Sequence, residues 1–256
     1  MPVISWEKAE VDFKKPTLIE IFTEIFLVKE SFLPERFFDV VPKLKEMGLT
    51  KVEMDQPFLF QLTQAPSEAK EQEFVAGPSP RVKCWNEEKK RLVQMAKDMF
   101  VINLVGEYPG WEEYVALLRK TVDAVKSVGV DIRCKSITLN TIDQFKVPRT
   151  GFTVGKYLNA GGSKVPAWYS DVKDSCDISL GMGFLEKDGY NNRLAIRVRA
   201  AADDVEIHMT SGFQALLRDG DELFSLLDKL HRQSTDSFKS IVTEATVNEV
   251  MGGPKT

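Results

Sequence analysis

One pattern of elements, strand–helix–three strands–helix, reads twice along this chain, and it limits the available folds more than any single motif does. The first copy opens at Pro16, after which Ile19, Ile21, Ile25 and Leu27 alternate with Glu20, Phe22, Glu24 and Phe26. Alternation with a period of two is the mark of a strand with one face buried. A helix begins at Pro34-Glu35 and stops near Gly48, with Pro42 inside it as a kink or early end. Strands are then predicted over 52–62, 81–86 and 91–104, and a helix through Tyr114, Leu118, Val122 and Val125 ends at Gly129.

The second copy starts with a β-rich run from Ile132 to Val147 and a short helix near Val154–Leu158. Strands over 176–185, 193–200 and 205–212 follow, with turns at Asp188-Gly189 and Asp203-Asp204. The longest helical pattern, from about Asp219 to Met251, closes the chain. It places Leu223, Leu227, Leu230, Ser234, Phe238, Ile241 and Ala245 on one stripe. The layout predicts an α+β fold: two β-α-β-β-β-α pseudo-repeats form a curved antiparallel sheet, with helices on one face and a long C-terminal helix. The halves run from about 16 to 130 and 131 to 251, after an extended arm at 1–15, within a single pseudo-symmetric domain. One sheet face, or a groove, is left for a partner.

Composition narrows the function classes. With 43% hydrophobic and 28% charged residues the chain can bury a real core. A net charge of −4 argues against generic nucleic-acid coating, while leaving room for a local basic patch. The three cysteines, Cys84, Cys134 and Cys176, are widely spaced and form no CxxC or Cys/His cluster. They read as buried thiols in a reducing compartment rather than as zinc ligands or disulfides. The N-terminus is too charged for a signal peptide, and no apolar run approaches a membrane span. The expectation is a cytoplasmic protein without a membrane partner, open to homodimerisation.

Few residues invite chemistry. Glu20 and Glu24 lie four apart on one strand face with Phe22 between them, a pair that could bind a divalent metal or perform acid–base work. Arg193, Arg197 and Arg199 share one face of a strand whose other face carries Leu194, Ile196 and Val198. A basic strand face of this kind suits phosphate; its bland counterpart is cross-strand pairing with Glu and Asp. Of the two histidines, His208 falls at the end of a predicted strand and His231 sits in the last helix, where hydrogen bonding is its expected work. Gly161-Gly162-Ser163-Lys164 lacks the spacing of a phosphate loop, and Trp168 and Tyr169 make that stretch a candidate contact loop. The polar segment 63–80 is a second one. Phe22, Phe26 and Phe60 could instead line an apolar groove.

The segments KPTLIEIFTEIFL, VGEYPGWEEY and LLDKLHRQSTDSFKSIVTEATVNEVMG resemble an uncharacterised, sporadically distributed family of prokaryotic proteins along nearly the whole chain. The likeness rests on Pro16, Glu20, Glu24, Tyr108, Trp111, Asp228, His231, Phe238 and Thr243. Where that family carries an Arg–Tyr pair before the counterpart of Asn140, this chain has Ile137 and Thr138. The resemblance implies a patchy distribution of the kind seen for phage-defence or toxin–antitoxin cargo. The leading expectation is a non-catalytic binding protein that recognises a protein or other macromolecule; no cofactor has support in the sequence, and a divalent metal enters only under the alternative. The alternative is a metal-dependent phosphate-handling hydrolase, similar to the triphosphate-tunnel enzymes but with Glu-x-x-x-Glu in place of Glu-x-Glu-x-Lys. It would use Glu20 and Glu24 for the metal and Arg193, Arg197 and Arg199 for phosphate.

Overall fold

A computed structural model describes residues 15–28, 34–55, 81–159, 178–185, 190–218 and 220–253. The fold is α+β with an antiparallel open sheet. Its strands are β1 (Leu18–Leu27), β2 (Lys51–Asp55), β3 (Arg81–Trp85), β4 (Arg91–Ala96), β5 (Met99–Val105), β6 (Cys134–Pro148), β7 (Ile178–Leu185), β8 (Tyr190–Ala200) and β9 (Asp204–Leu216). The helices are α1 (Pro34–Glu46), α2 (Trp111–Ser127), α3 (Val154–Tyr157) and α4 (Leu223–Ile241). Among the described residues no helix is long and apolar enough to cross a membrane.

Two compact units form. The smaller comprises Ile25–Asn103 and Trp111–Cys134; the larger comprises Met1–Glu24, Leu104–Gly110 and Lys135–Thr256. In the smaller unit the strands run β2-β3-β4-β5, with α1 packed on α2 and against β3 and β4. The predicted strand over 91–104 is two strands, because the chain turns at Lys97-Asp98 and returns as β5. The first half therefore reads β-α-β-β-β-β-α, whereas the second reads β-α-β-β-β-α. Phe100 and Ile102 are fully buried, and Ile102 accepts the Tyr114 hydroxyl hydrogen through its carbonyl at 3.1 Å. Gly129 ends α2 with φ at +78°, a left-handed conformation that a side chain would strain. Pro42 is accommodated inside α1.

In the larger unit the strand order is β1-β6-β9-β8-β7. Alternation decides its two faces. Val205, Ile207, Met209 and Phe213 of β9 are buried, as are Leu194, Ile196 and Val198 of β8. All of these but Phe213 pack with Phe145, Val147, Phe152, Val154, Tyr157, Ile241, Val242, Val247 and Met251 in one cluster, so α3 and the end of α4 cover this face. Burial of that many aliphatic side chains, at roughly 1.5–3 kcal/mol each, is the main force holding the unit together.

The C-terminal helical run is shorter than its apolar stripe predicts. α4 ends at Ile241, and Val242 is extended and bridges Leu158. Thr243 then donates its hydroxyl hydrogen to the Lys156 carbonyl and accepts from the Thr246 backbone N–H at 3.3 Å, capping a short helical segment that starts at Glu244 and runs into a π-helical turn over Thr246–Val250. Glu222, at the N-cap of α4, makes no side-chain capping hydrogen bond; Asp221 accepts from the Arg218 backbone N–H at 2.8 Å. Of the expected stripe, Leu227, Leu230, Ser234 and Ile241 are buried, together with Leu226, which the stripe did not include.

Candidate functional site

The opposite face of the larger unit's sheet is where charge collects. β8 alternates strictly: Leu194, Ile196 and Val198 are buried, while Arg193, Ala195, Arg197 and Arg199 are exposed. Antiparallel pairing sets these four residues opposite Gly212, Thr210, His208 and Glu206 of β9, respectively. The next strand continues each row, with Asn140, Ile142, Gln144 and Lys146 of β6 paired to the same four β9 positions. On the other side, β7 sets Gly183, Gly181 and Ser179 in register with Arg193, Ala195 and Arg197. Register thus assembles a polar surface from residues far apart in the sequence.

A concavity of about 700 Å³ opens on this face, lined by Gln144, Ala195, Arg197, Arg199, Glu206, His208 and Thr210. That volume falls in the range that accepts a small organic ligand. His208, expected at a strand end, lies inside β9, which runs from Asp204 to Leu216. Its Nε2 lies 3.4 Å from Glu206 Oε2, and the other Glu206 oxygen accepts a hydrogen from the Gln144 amide. The Gln144 hydrogen bond, then that of His208, with help from the Lys146 charge, holds the Glu206 carboxyl below the usual range, so it is ionised at neutral pH. Two guanidinium groups, one carboxylate with its imidazole, an amide and a hydroxyl share one open basin.

A second row lies beside it. Glu24 of β1 accepts a hydrogen from the Asn140 amide at 3.2 Å, and Asn140 is buried. The partner of Asn140 on β9 is Gly212, and a Cβ there would fall 2.8 Å from Asn140 Oδ1 and 3.6 and 3.7 Å from Arg193 Nε and Nη2. Only a glycine leaves room there for the Asn140 amide oxygen and the Arg193 guanidinium, which approach the same point over that strand from β6 and β8. Glu24 and Arg193 therefore belong to one row. Arg197 and Arg199 sit four and six residues further along β8, roughly 13 and 20 Å at ~3.3 Å per residue. Glu20 and Glu24 share the half-buried face of β1 with Phe22 and Phe26, opposite the buried Ile21, Thr23, Ile25 and Leu27.

The remaining candidates lie elsewhere. Burial pushes the His231 imidazole on α4 down to about 4, against the pull of Asp228, so it is neutral at physiological pH. Burial also raises the Cys84 and Cys134 thiols to about 11, which leaves them unreactive. Trp168, Tyr169, Phe60, Cys176 and the loops over 63–80 and 161–169 lie outside the described residues. Among the described residues no group of three His, Cys, Asp or Glu side chains is close enough to hold a metal ion.

Comparison of the sequence with protein-family models and with curated proteins finds no match.

Proposed function

We propose that this is a binding protein that holds a phosphate-bearing ligand on the open sheet face of the larger unit. The observation that carries the reading is the presence of Arg197 and Arg199 in one concavity with His208, Gln144 and Thr210. Guanidinium groups present planar forks of N–H donors that match phosphate oxygens, and their charge survives at any physiological pH. The imidazole, the amide and the hydroxyl offer further hydrogen bonds to the same anion. Glu206 Oε2, 3.4 Å from His208 Nε2, holds the imidazole beside the two arginines. The similar element order of the two halves supports reading them as two versions of one plan, of which the second carries the site.

The experiment is calorimetric titration with inorganic phosphate, tripolyphosphate and a nucleoside triphosphate, with and without Mg²⁺. Saturable binding that is lost in Arg197→Ala/Arg199→Ala, in a protein with unchanged circular dichroism, is the expected result. A folded protein that binds none of these ligands would end the proposal and turn attention to a protein partner. The metal-dependent hydrolase reading makes a separate prediction, because Glu24 shares the row of Arg193. Mg²⁺-dependent turnover that disappears in Glu20→Ala/Glu24→Ala would replace simple binding with catalysis.

A further inference from the structure

From the row that ends on Arg193 we infer that the ligand is an extended chain of phosphates rather than a single phosphate group, a step that rests on the phosphate-binding reading above. Arg193 lies outside the concavity that holds Arg197 and Arg199, two residues beyond Ala195 on the same strand face. Its guanidinium is not directed at random. Nε and Nη2 both lie within 3.7 Å of the point where a Gly212 Cβ would be, so the side chain leans across β9. Asn140 Oδ1 approaches the same point from β6, and the amide nitrogen of Asn140 donates to Glu24. The Glu24–Asn140 bond fixes which end of the amide faces Gly212. The missing Cβ of Gly212 provides the cradle.

The ground between the two arginine stations is low on β7 and β8. The row that separates them consists of Gly181, Ala195, Thr210 and Ile142, and Gly183 is the β7 partner of Arg193. Glycine and alanine put almost nothing above the sheet, so a chain laid along β8 meets no obstruction from these positions. Arg193 and Arg199 are roughly 20 Å apart at ~3.3 Å per residue, too far for one phosphate to bridge. A linear polyanion can reach Arg193, Arg197 and Arg199 together. Of the carboxylates on this face, Glu24 and Glu206 are each engaged by an amide, from Asn140 and Gln144, and Glu20 of β1 is a third. The shared ligand chemistry is a row of phosphates, supplied by inorganic polyphosphate or by a nucleic-acid strand.

The test compares tripolyphosphate with long-chain inorganic polyphosphate and with a single-stranded oligothymidylate, using wild type, Arg193→Ala, Gly212→Ala and Lys229→Ala. Lys229 is exposed on α4 and serves as an equal-charge control. Wild type should bind a long chain roughly ten- to a hundredfold tighter than tripolyphosphate, the gain expected from one further charged hydrogen-bonding station. Arg193→Ala should remove that preference and leave tripolyphosphate affinity within about threefold. It should also lower the salt dependence of long-chain binding by about one phosphate, a readout that a merely structural residue would not move. Lys229→Ala should change neither. Gly212→Ala should act like Arg193→Ala; if it does not fold, Arg193→Ala alone decides. Preference for polyphosphate over the oligonucleotide, or the reverse, identifies the source and supports the inference either way. Equal affinity for short and long chains, or a length preference that survives Arg193→Ala, overturns it while leaving phosphate binding intact. If no phosphate ligand binds the folded protein, both readings fall.

Discussion

β5 and β8 are both antiparallel strands with apolar cores, yet they are buried in different ways. In β5 the run from Phe100 to Val101, Ile102, Asn103 and Leu104 is buried without a break, so both faces of the strand are covered. In β8 every second residue is exposed, and three of those exposed positions are arginine. A strand covered on both faces must be apolar nearly everywhere and can offer nothing to a ligand. A strand covered on one face can carry charge at every alternate position while the opposite face secures the fold. Stability and binding are thus divided between strands in one case and between the two faces of a single strand in the other.

The sharpest way to break this comparison is to mutate both strands in the same way. Ile102→Ala removes a fully buried side chain and should cost about 2–5 kcal/mol in urea denaturation. Arg197→Ala removes an exposed one and should change stability by no more than about 0.5 kcal/mol while abolishing phosphate affinity. If Arg197→Ala proved as destabilising as Ile102→Ala, the open face would be part of the fold's scaffold and the division would fail.

The same contrast governs what could be read from the sequence. The basic face of β8 was legible because a strand's period of two is a local property, visible in Arg193, Arg197 and Arg199 alone. The rest of the basin was not. Gln144, Glu206 and His208 reach it only through the register of β6 and β9, and nothing local in a single sequence specifies which residue pairs with which. Gly212 looked like a strand end, whereas it is the space that Asn140 and Arg193 share. The stretch over 91–104 read as one strand because Met95, Ala96, Met99 and Phe100 keep it apolar across a turn with no glycine or proline. The α4 stripe continued past Ile241 because Ala245 is in phase with it and packs against the core cluster, although the chain breaks at Val242. The local sign of that break was Thr243 three residues before Thr246, a capping pattern inside a helical run.

Two carboxyl groups extend the comparison to electrostatics, and they shift in opposite directions. Glu206 on the open face is held low by Gln144 and His208. Asp143 is buried, and desolvation raises it from 3.8 to about 6 despite the opposing 2.8 Å hydrogen bond donated by Thr17. The folded state keeps this proton to a higher pH than the unfolded chain does. The contribution of Asp143 is therefore full below pH 3.8 and is lost as pH rises through about 6. Asp143→Asn retains an oxygen to accept from Thr17 and carries no charge. It should stabilise the protein at pH 8 by up to ~3 kcal/mol, each pKa unit being worth about 1.4 kcal/mol. The advantage should shrink towards zero near pH 4, as followed by denaturation curves across that range. A gap that does not change with pH would show that Asp143 titrates like a solvated carboxyl.

The smallest effect is the finest test, because it separates neighbouring residues of β9. Ser211 faces α4, and its hydroxyl lies 2.7 Å from that of Thr141, which is itself buried and 3.5 Å from Ser234. Thr210 faces the basin. Ser211→Ala removes the closer of two partners from a buried hydroxyl and should cost about 0.5–1.5 kcal/mol without touching ligand affinity. Thr210→Ala should stay within about 0.5 kcal/mol in stability, since its side chain is exposed, and weaken phosphate binding instead. One residue of displacement along a strand exchanges the two faces. If the division holds, stability and affinity should therefore exchange between these two variants. A Thr210→Ala protein that lost stability and kept its affinity would place the phosphate elsewhere, and the basin would then be a by-product of sheet curvature.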